Sequence, residues 1–143
     1  MRHLVKSDIL NVTTKGGHYL DITGKVTQWL HRYDVTDGLL TLLIRHTSAS
    51  LAIQENADPD VMRDLRDALT QLAPESPHYR HHMEGPDDMP AHIKSVITPV
   101  NLSIPVSDGH LMLDTWQGIF VLEHRSRSHQ RQIALHLSGL ANE

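Results

Sequence analysis

Apolar positions near the start of the chain change period once. Leu4, Val5, Ile9, Leu10 and Val12 stand among polar neighbours, Gly16-Gly17 interrupts them, and His18-Tyr19-Leu20-Asp21-Ile22 resumes, which predicts a β-hairpin over 3–13 and 18–22. The spacing then becomes helical: Ile22, Val26, Trp29, Leu30 and Tyr33 fall on one face of a helix over about 23–33. Asp37-Gly38 reads as a turn, Leu39 to Ile44 as a strand, and Leu51-Ala52-Ile53-Gln54 as a further short strand.

Asp58-Pro59 opens a second helix. Aspartate accepts from amides that have no partner inside the helix, and proline at the first position forfeits a hydrogen bond that would not form. Val61, Leu65, Ala68, Leu69 and Leu72 supply its buried stripe. Residues 73–87 hold three prolines and a glycine and read as a loop longer than most connections, followed by a short helix over about 89–97 capped by Asp88. The last third predicts strands at 102–106, 111–113, 119–123 and 132–137, with Ser107-Asp108-Gly109 as a turn, in an antiparallel meander. The class is α+β: an antiparallel or mixed β-sheet sandwich with two main helices and one short helix packed on it, in a single domain over 1–143.

Composition narrows the chemistry. The chain has no cysteine, which removes disulfides, thiolate nucleophiles and cysteine metal sites and leaves His, Asp, Glu and water as ligands. A formal charge of −4 and the lack of a Lys/Arg track argue against a nucleic-acid partner. No apolar run has the roughly 20 residues of a membrane helix, and the N-terminus has no apolar secretion block, so the expectation is a cytoplasmic protein away from the membrane.

The densest chemistry lies in 79–95, where His81, His82, Glu84, Asp87, Asp88, His92 and Lys94 crowd together. Imidazoles there suit Zn²⁺ and carboxylates suit Mg²⁺, whereas a solvated polar loop is the plainer reading. His46, Thr47, Ser48 and Ser50 follow a buried strand, where hydroxyls either meet a phosphate or carbonyl or simply satisfy the strand end. Glu55 either points into a cleft or is structural, and Glu123-His124-Arg125 ends a strand with an acid, an imidazole and a guanidinium that either complete a site or form a solvated strand end or surface ion pair. Arg127 and Arg131 read as ordinary hairpin charges, and Lys94 either binds an anion or lies on an exposed helix face.

Three blocks together resemble the YjbQ family: His46-Thr-Ser-Ala-Ser-Leu51 with Glu55-Asn-Ala-Asp-Pro59; Glu84-Gly-Pro-Asp-Asp-Met-Pro-Ala-His-Ile-Lys-Ser95; and Thr115-Trp-Gln-Gly-Ile119 with Glu123-His-Arg125. The resemblance implies a homotrimeric α+β protein and a thiamine-phosphate synthase activity, joining a pyrimidine diphosphate to a thiazole phosphate. It implies site roles for His46, His81, His92, His124, Glu55, Glu84, Asp87, Asp88, Glu123, Lys94, Gln117 and Arg125, and gives His82 none. The chain departs from the family pattern at Pro99, His110 and Asp114.

The resulting expectation is an enzyme whose His81, His92 and His124 hold a divalent metal, zinc first and Mg²⁺ if the substrate is a diphosphate. His46, Glu55, Glu84, Asp88 and Glu123 are the candidate catalytic groups, and Ser48, Ser50, Lys94, Gln117 and Arg125 the candidate contacts to a small phosphorylated ligand. The alternative is a non-catalytic trimer that binds a metal or a small anionic metabolite.

Overall fold

The computed structural model describes residues 1–143. In chain order the elements are β1 (Arg2–Thr13), β2 (Tyr19–Asp21), α1 (Thr23–Leu30), β3 (Val35–Ile44), β4 (Ala49–Glu55), α2 (Pro59–Leu72), α3 (Asp88–Ile97), β5 (Asn101–Ser107), β6 (His110–Leu111), β7 (Gln117–Glu123) and β8 (Gln130–Ala141). They form a five-stranded sheet in the order β1-β8-β3-β5-β6 and a three-stranded sheet in the order β2-β7-β4, with every pairing antiparallel. The α+β class is as expected, and of the antiparallel and mixed alternatives the first is observed.

The core lies between the sheets. Leu40, Leu42, Ile44, Ile104, Ile133, Leu135 and Leu137 come from the larger sheet, Leu51, Ile119 and Val121 from the smaller, and Val26, Trp29 and Leu30 of α1 join the same cluster. Trp29 satisfies its indole N–H by donating to Asp8 Oδ2 at 3.0 Å, which lets a large amphipathic ring sit inside. The other two helices pack on β4 of the smaller sheet.

The expected first hairpin does not form. β1 pairs along its whole length with β8, from Arg2↔Ala141 to Thr13↔Gln130, and β2 pairs with β7 in the other sheet. Gly16-Gly17 therefore carries the chain between sheets: Gly17 has φ +66°, and a Cβ on Gly16 would collide with the carbonyl oxygen of Ser126. Asp37-Gly38 is not a turn either. It lies inside β3, where Gly38 stands opposite Gly139 and a Cβ would come within 2.5 Å of the Ser138 carbonyl oxygen.

The meander is also corrected. Only β5 and β6 form a hairpin; β7 joins the second sheet and β8 inserts between β1 and β3. Gly118 to Glu123 is buried at every position, so its apolar run carries no alternation that assigns it to a sheet. The first helix ends at Leu30, because Arg32 and Tyr33 donate three residues back, to Trp29 and Leu30, and tighten the last turn. Asp58 caps α2 through Asp60 N–H at 2.9 Å as its sequence predicts. At α3 the cap position belongs to Asp87, and Asp88 lies buried in the first turn.

Candidate metal centre and adjoining cavities

Helix α3 places Asp88 and His92 one turn apart, and the loop before it folds His81 back onto them. Asp88 Oδ2 stands 2.7 Å from His81 Nε2 and 3.2 Å from His92 Nε2, and the three ligand atoms all lie within 4.8 Å of one another. His92 Nδ1 is 2.7 Å from the carbonyl oxygen of Thr47, which only accepts, so Nδ1 carries the proton. In the neutral ring Nε2 is then a bare lone pair facing a carboxylate. Two arrangements relieve that repulsion: a proton on the ring, or a cation among the three donors.

The surroundings have the form expected around a metal. His92 is oriented by a carbonyl, and the second oxygen of Asp88 forms an ion pair with Arg125 Nη1 at 2.9 Å. Arg125 is held in turn by Asp87, at 2.9 Å from Nε, and by the Glu84 carbonyl oxygen, at 2.9 Å from Nη2. Asp87 Oδ2 also accepts from the Ser126 amide at 2.9 Å and hydroxyl at 3.1 Å. Burial works against the charge on Asp88, but the hydrogen bond from His81 and the charges of His92 and Arg125 outweigh it and keep its carboxyl below the usual range.

Two imidazoles and one carboxylate match an open zinc site, with a fourth position for water or substrate. They suit magnesium less well, because imidazoles outnumber carboxylates and Asp87 is already bonded to Arg125 and Ser126. His124, expected as the third histidine ligand, is elsewhere; Asp88 takes that place. Strand alternation at the end of β7 sends Glu123 between the sheets and His124 to the opposite face, where its ring bonds Ser50 and lies beside Lys94 rather than His92.

Glu123 is accordingly a structural ion pair rather than a proton-transfer group. It is 1% exposed, accepts from Arg131 Nε at 2.8 Å and Nη2 at 2.5 Å, and takes a further bond from Thr14 Oγ1. Burial opposes its charge, and the Arg131 and Thr14 bonds hold its pKa below the ordinary value nonetheless. Arg131 is therefore no hairpin charge: it is 4% exposed and also donates to the Ser48 carbonyl oxygen at 3.3 Å. The signal for this is its phase, since Arg131 aligns with Ile133, Leu135 and Leu137 on the inward face of β8.

His124 is 6% exposed and its Nε2 lies 2.8 Å from Ser50 Oγ. Burial first, and then the positive charge of Lys94, push its pKa down to about 4, so the ring is neutral. It lines a cavity of about 260 Å³ with Tyr19, Arg66, Glu75, Lys94 and Arg125. Burial raises the Tyr19 phenol to about 12, which keeps it a neutral donor.

His46 lies on the other side of α3. Its Nε2 accepts from the Gln132 amide at 2.8 Å, and burial, followed by the Arg131 charge, lowers its pKa. With Thr47, His92 and Thr98 it lines an open groove of about 460 Å³, so the His81–Asp88–His92 group borders a space where a substrate can lie. Glu55 and Gln117 are not part of this region. They pair with each other at the opposite end of β4 and β7 from Ala49 and Glu123, about 20 Å away at the usual rise per residue. Glu55 Oε2 accepts from the Asp58 amide at 3.3 Å, and Gln117 Oε1 from the Asp114 amide at 2.8 Å. Ser48 acts through its carbonyl oxygen and Ser50 through its hydroxyl, whereas Glu84 holds Arg125 through its carbonyl oxygen and also sets its side chain against Asp88.

The fold and the histidine–aspartate group define a small α+β protein with a candidate open metal centre at the start of a short helix. The sequence profile described as UPF0047 protein YjbQ-like matches residues 8–140, and the chain belongs to that family. It is 49% identical over 133 residues to UPF0047 protein sll1880 of Synechocystis, covering 92% of this chain and 90% of that one. It is 45% identical over 119 residues to UPF0047 protein YjbQ of Salmonella typhimurium, covering 82% and 86%. Among solved structures, a conserved hypothetical protein from Thermus thermophilus aligns with a TM-score of 0.80 at 36% identity, covering 90% of this chain and 97% of that one. A YbjQ-like protein of unknown function from Sulfolobus solfataricus shares the fold, with a TM-score of 0.88 at 23% identity over 97% and 100% of the two chains.

Proposed function

We propose that this protein is a small metal-dependent enzyme that holds a divalent cation, zinc before magnesium, on His81, Asp88 and His92 and acts on a small phosphorylated substrate. The observation that supports this most is the pairing of His92 Nδ1 with the Thr47 carbonyl, which turns Nε2 toward the Asp88 carboxylate beside His81 Nε2, so that three ligand atoms converge. A bound cation there supplies Lewis acidity. The chain's own residues do the rest: Thr47 fixes the ring of His92, Arg125 fixes Asp88, and His46 in the bordering groove offers a neutral imidazole. The thiamine-phosphate reaction is the first substrate pair to try, because Lys94 and Arg66 line the neighbouring cavity and suit a diphosphate.

Assembly as a homotrimer is part of the same reading. No helix packs on the outer face of the five-stranded sheet, and Val5, Ile9, Leu39, Leu43 and Leu140 are exposed there. The register aligns them in two apolar rows, Ile9-Ala134-Leu43 and Val5-Ser138-Leu39-Pro105, a patch of the kind that second copies cover.

The test is turnover of a pyrimidine diphosphate with a thiazole phosphate by zinc-loaded, magnesium-loaded and metal-free protein. Zinc-dependent product that His92→Ala abolishes supports the reading. Product formation equal with and without metal removes the metal from it. Metal held tightly with no turnover of any phosphorylated substrate favours a non-catalytic binding module instead.

A further inference from the structure

The His124 ring has its tautomer set by a chain of hydroxyls. Thr98 Oγ1 lies 2.6 Å from both the Lys94 carbonyl oxygen and Ser50 Oγ, and Ser50 Oγ lies 2.8 Å from His124 Nε2. Thr98 has one hydroxyl proton, and a carbonyl oxygen at 2.6 Å is tolerable only if it receives it. Thr98 thus donates to Lys94, Ser50 donates to Thr98, and Ser50 accepts from His124, which places the ring proton on Nε2. Nδ1 is left as an acceptor. It makes no hydrogen bond within the protein, yet no buried polar side-chain atom is unsatisfied, so Nδ1 opens into the 260 Å³ cavity that the ring lines.

Across that cavity are cations without strong partners. Lys94 forms no ion pair, and Arg66 makes only a 3.9 Å contact with Asp67 and a 3.2 Å bond to the Gly17 carbonyl oxygen. Asp87 and Glu123 are occupied by Arg125 and Arg131, so Glu75 is the one lining acid not already bonded to an arginine. A buried acceptor facing two cations describes a ligand that is anionic yet carries a proton on one oxygen.

We infer that the cavity beneath α3 is a binding site for protonated oxyanions, hydrogen phosphate and the singly ionised form of phosphate monoesters, in which Lys94 and Arg66 meet the anionic oxygens and His124 Nδ1 accepts the P–OH proton. This deepens the proposed function by naming the ligand class of the cavity next to the metal group, and rests on that reading only in supposing that both serve one substrate. Lone-pair repulsion at Nδ1 disfavours anions without a proton. At neutral pH phosphate has the O–H donor and sulfate, of similar size and charge, does not.

The experiment is calorimetric titration of the full chain with inorganic phosphate and with sulfate at about pH 7.5, in chelator so that no metal holds either anion. Phosphate is expected to bind at least about tenfold more tightly than sulfate, since a buried acceptor left unpaired costs that much. His124→Ala should bring the ratio close to one, His124→Asn should keep part of the preference through its amide oxygen, and Lys94→Met should weaken both anions. Equal affinities for wild type, no binding of either anion, or a preference that survives His124→Ala would overturn the inference. The wild-type comparison needs no variant to fold, and zinc titration of the same protein after the chelator is removed reports on the metal group separately.

Discussion

Arg131 lies flat against Glu123 between the two sheets, with Nε and Nη2 each bonded to a carboxylate oxygen and both side chains almost sealed from solvent. The pair ties β8 of the larger sheet to the end of β7 in the smaller one, directly behind His124. Removing one partner leaves an uncompensated buried charge, so Glu123→Gln is expected to cost about 3–5 kcal/mol in urea unfolding. Replacing both residues with Leu and Met is expected to cost much less than the two single changes combined. A loss below about 1 kcal/mol for Glu123→Gln would show that the pair is solvated.

His124 makes stability depend on pH in a defined direction. The unfolded imidazole titrates near 6.5 and the folded one at about 4, so its contribution is complete above about 6.5 and is lost as pH falls toward 4. Between about pH 7.5 and about pH 5 this amounts to about 2 kcal/mol of destabilisation. The lowered pKa of His46 adds to the same trend, so the comparison of wild type with His124→Asn isolates the part due to His124. Parallel stability curves for the two proteins over this range would disprove it.

Arg125 holds Asp88 through one nitrogen and Asp87 and Glu84 through the others, a fork that lysine cannot reproduce. Arg125→Lys should weaken zinc binding by about 10- to 100-fold in a chelator competition, as expected when a group orienting a ligand carboxylate is lost. Unchanged affinity would mean that Asp88 is positioned by the helix alone.

Leu43→Glu puts a charge in the middle of the Ile9-Ala134-Leu43 row on the outer sheet face. Sedimentation velocity should show a trimer for wild type and a monomer for the variant, with little change in circular dichroism. A wild-type monomer at micromolar concentration would remove the trimer.

The residues that carry local signals are readable in the sequence: the Asp58-Pro59 helix opening, the long 73–87 loop and the concentration of ligand groups in 79–95. Asp88 and His92 meet because a helix brings residues four apart together, and that spacing is local. Pairing partners are not readable, because Gly16-Gly17 and Asp37-Gly38 look like hairpin turns until the opposing backbones at Ser126 and Gly139 are known. His124 escapes the sequence for a related reason: adjacent residues on a strand face opposite sides, so Glu123-His124-Arg125 does not act as one unit. Arg131 is legible in principle through its phase with Ile133 and Leu135, but a charge at an inward position is recognised as buried only when its partner is identified.

Elemental analysis of protein purified without chelator or histidine tag, followed by zinc titration of the chelated sample, tests the central claim most directly. The account predicts about one zinc per chain, lost together in His81→Ala, Asp88→Asn and His92→Ala and retained in His124→Asn. Protein that carries no metal and binds added zinc no better than the His92→Ala variant would contradict it.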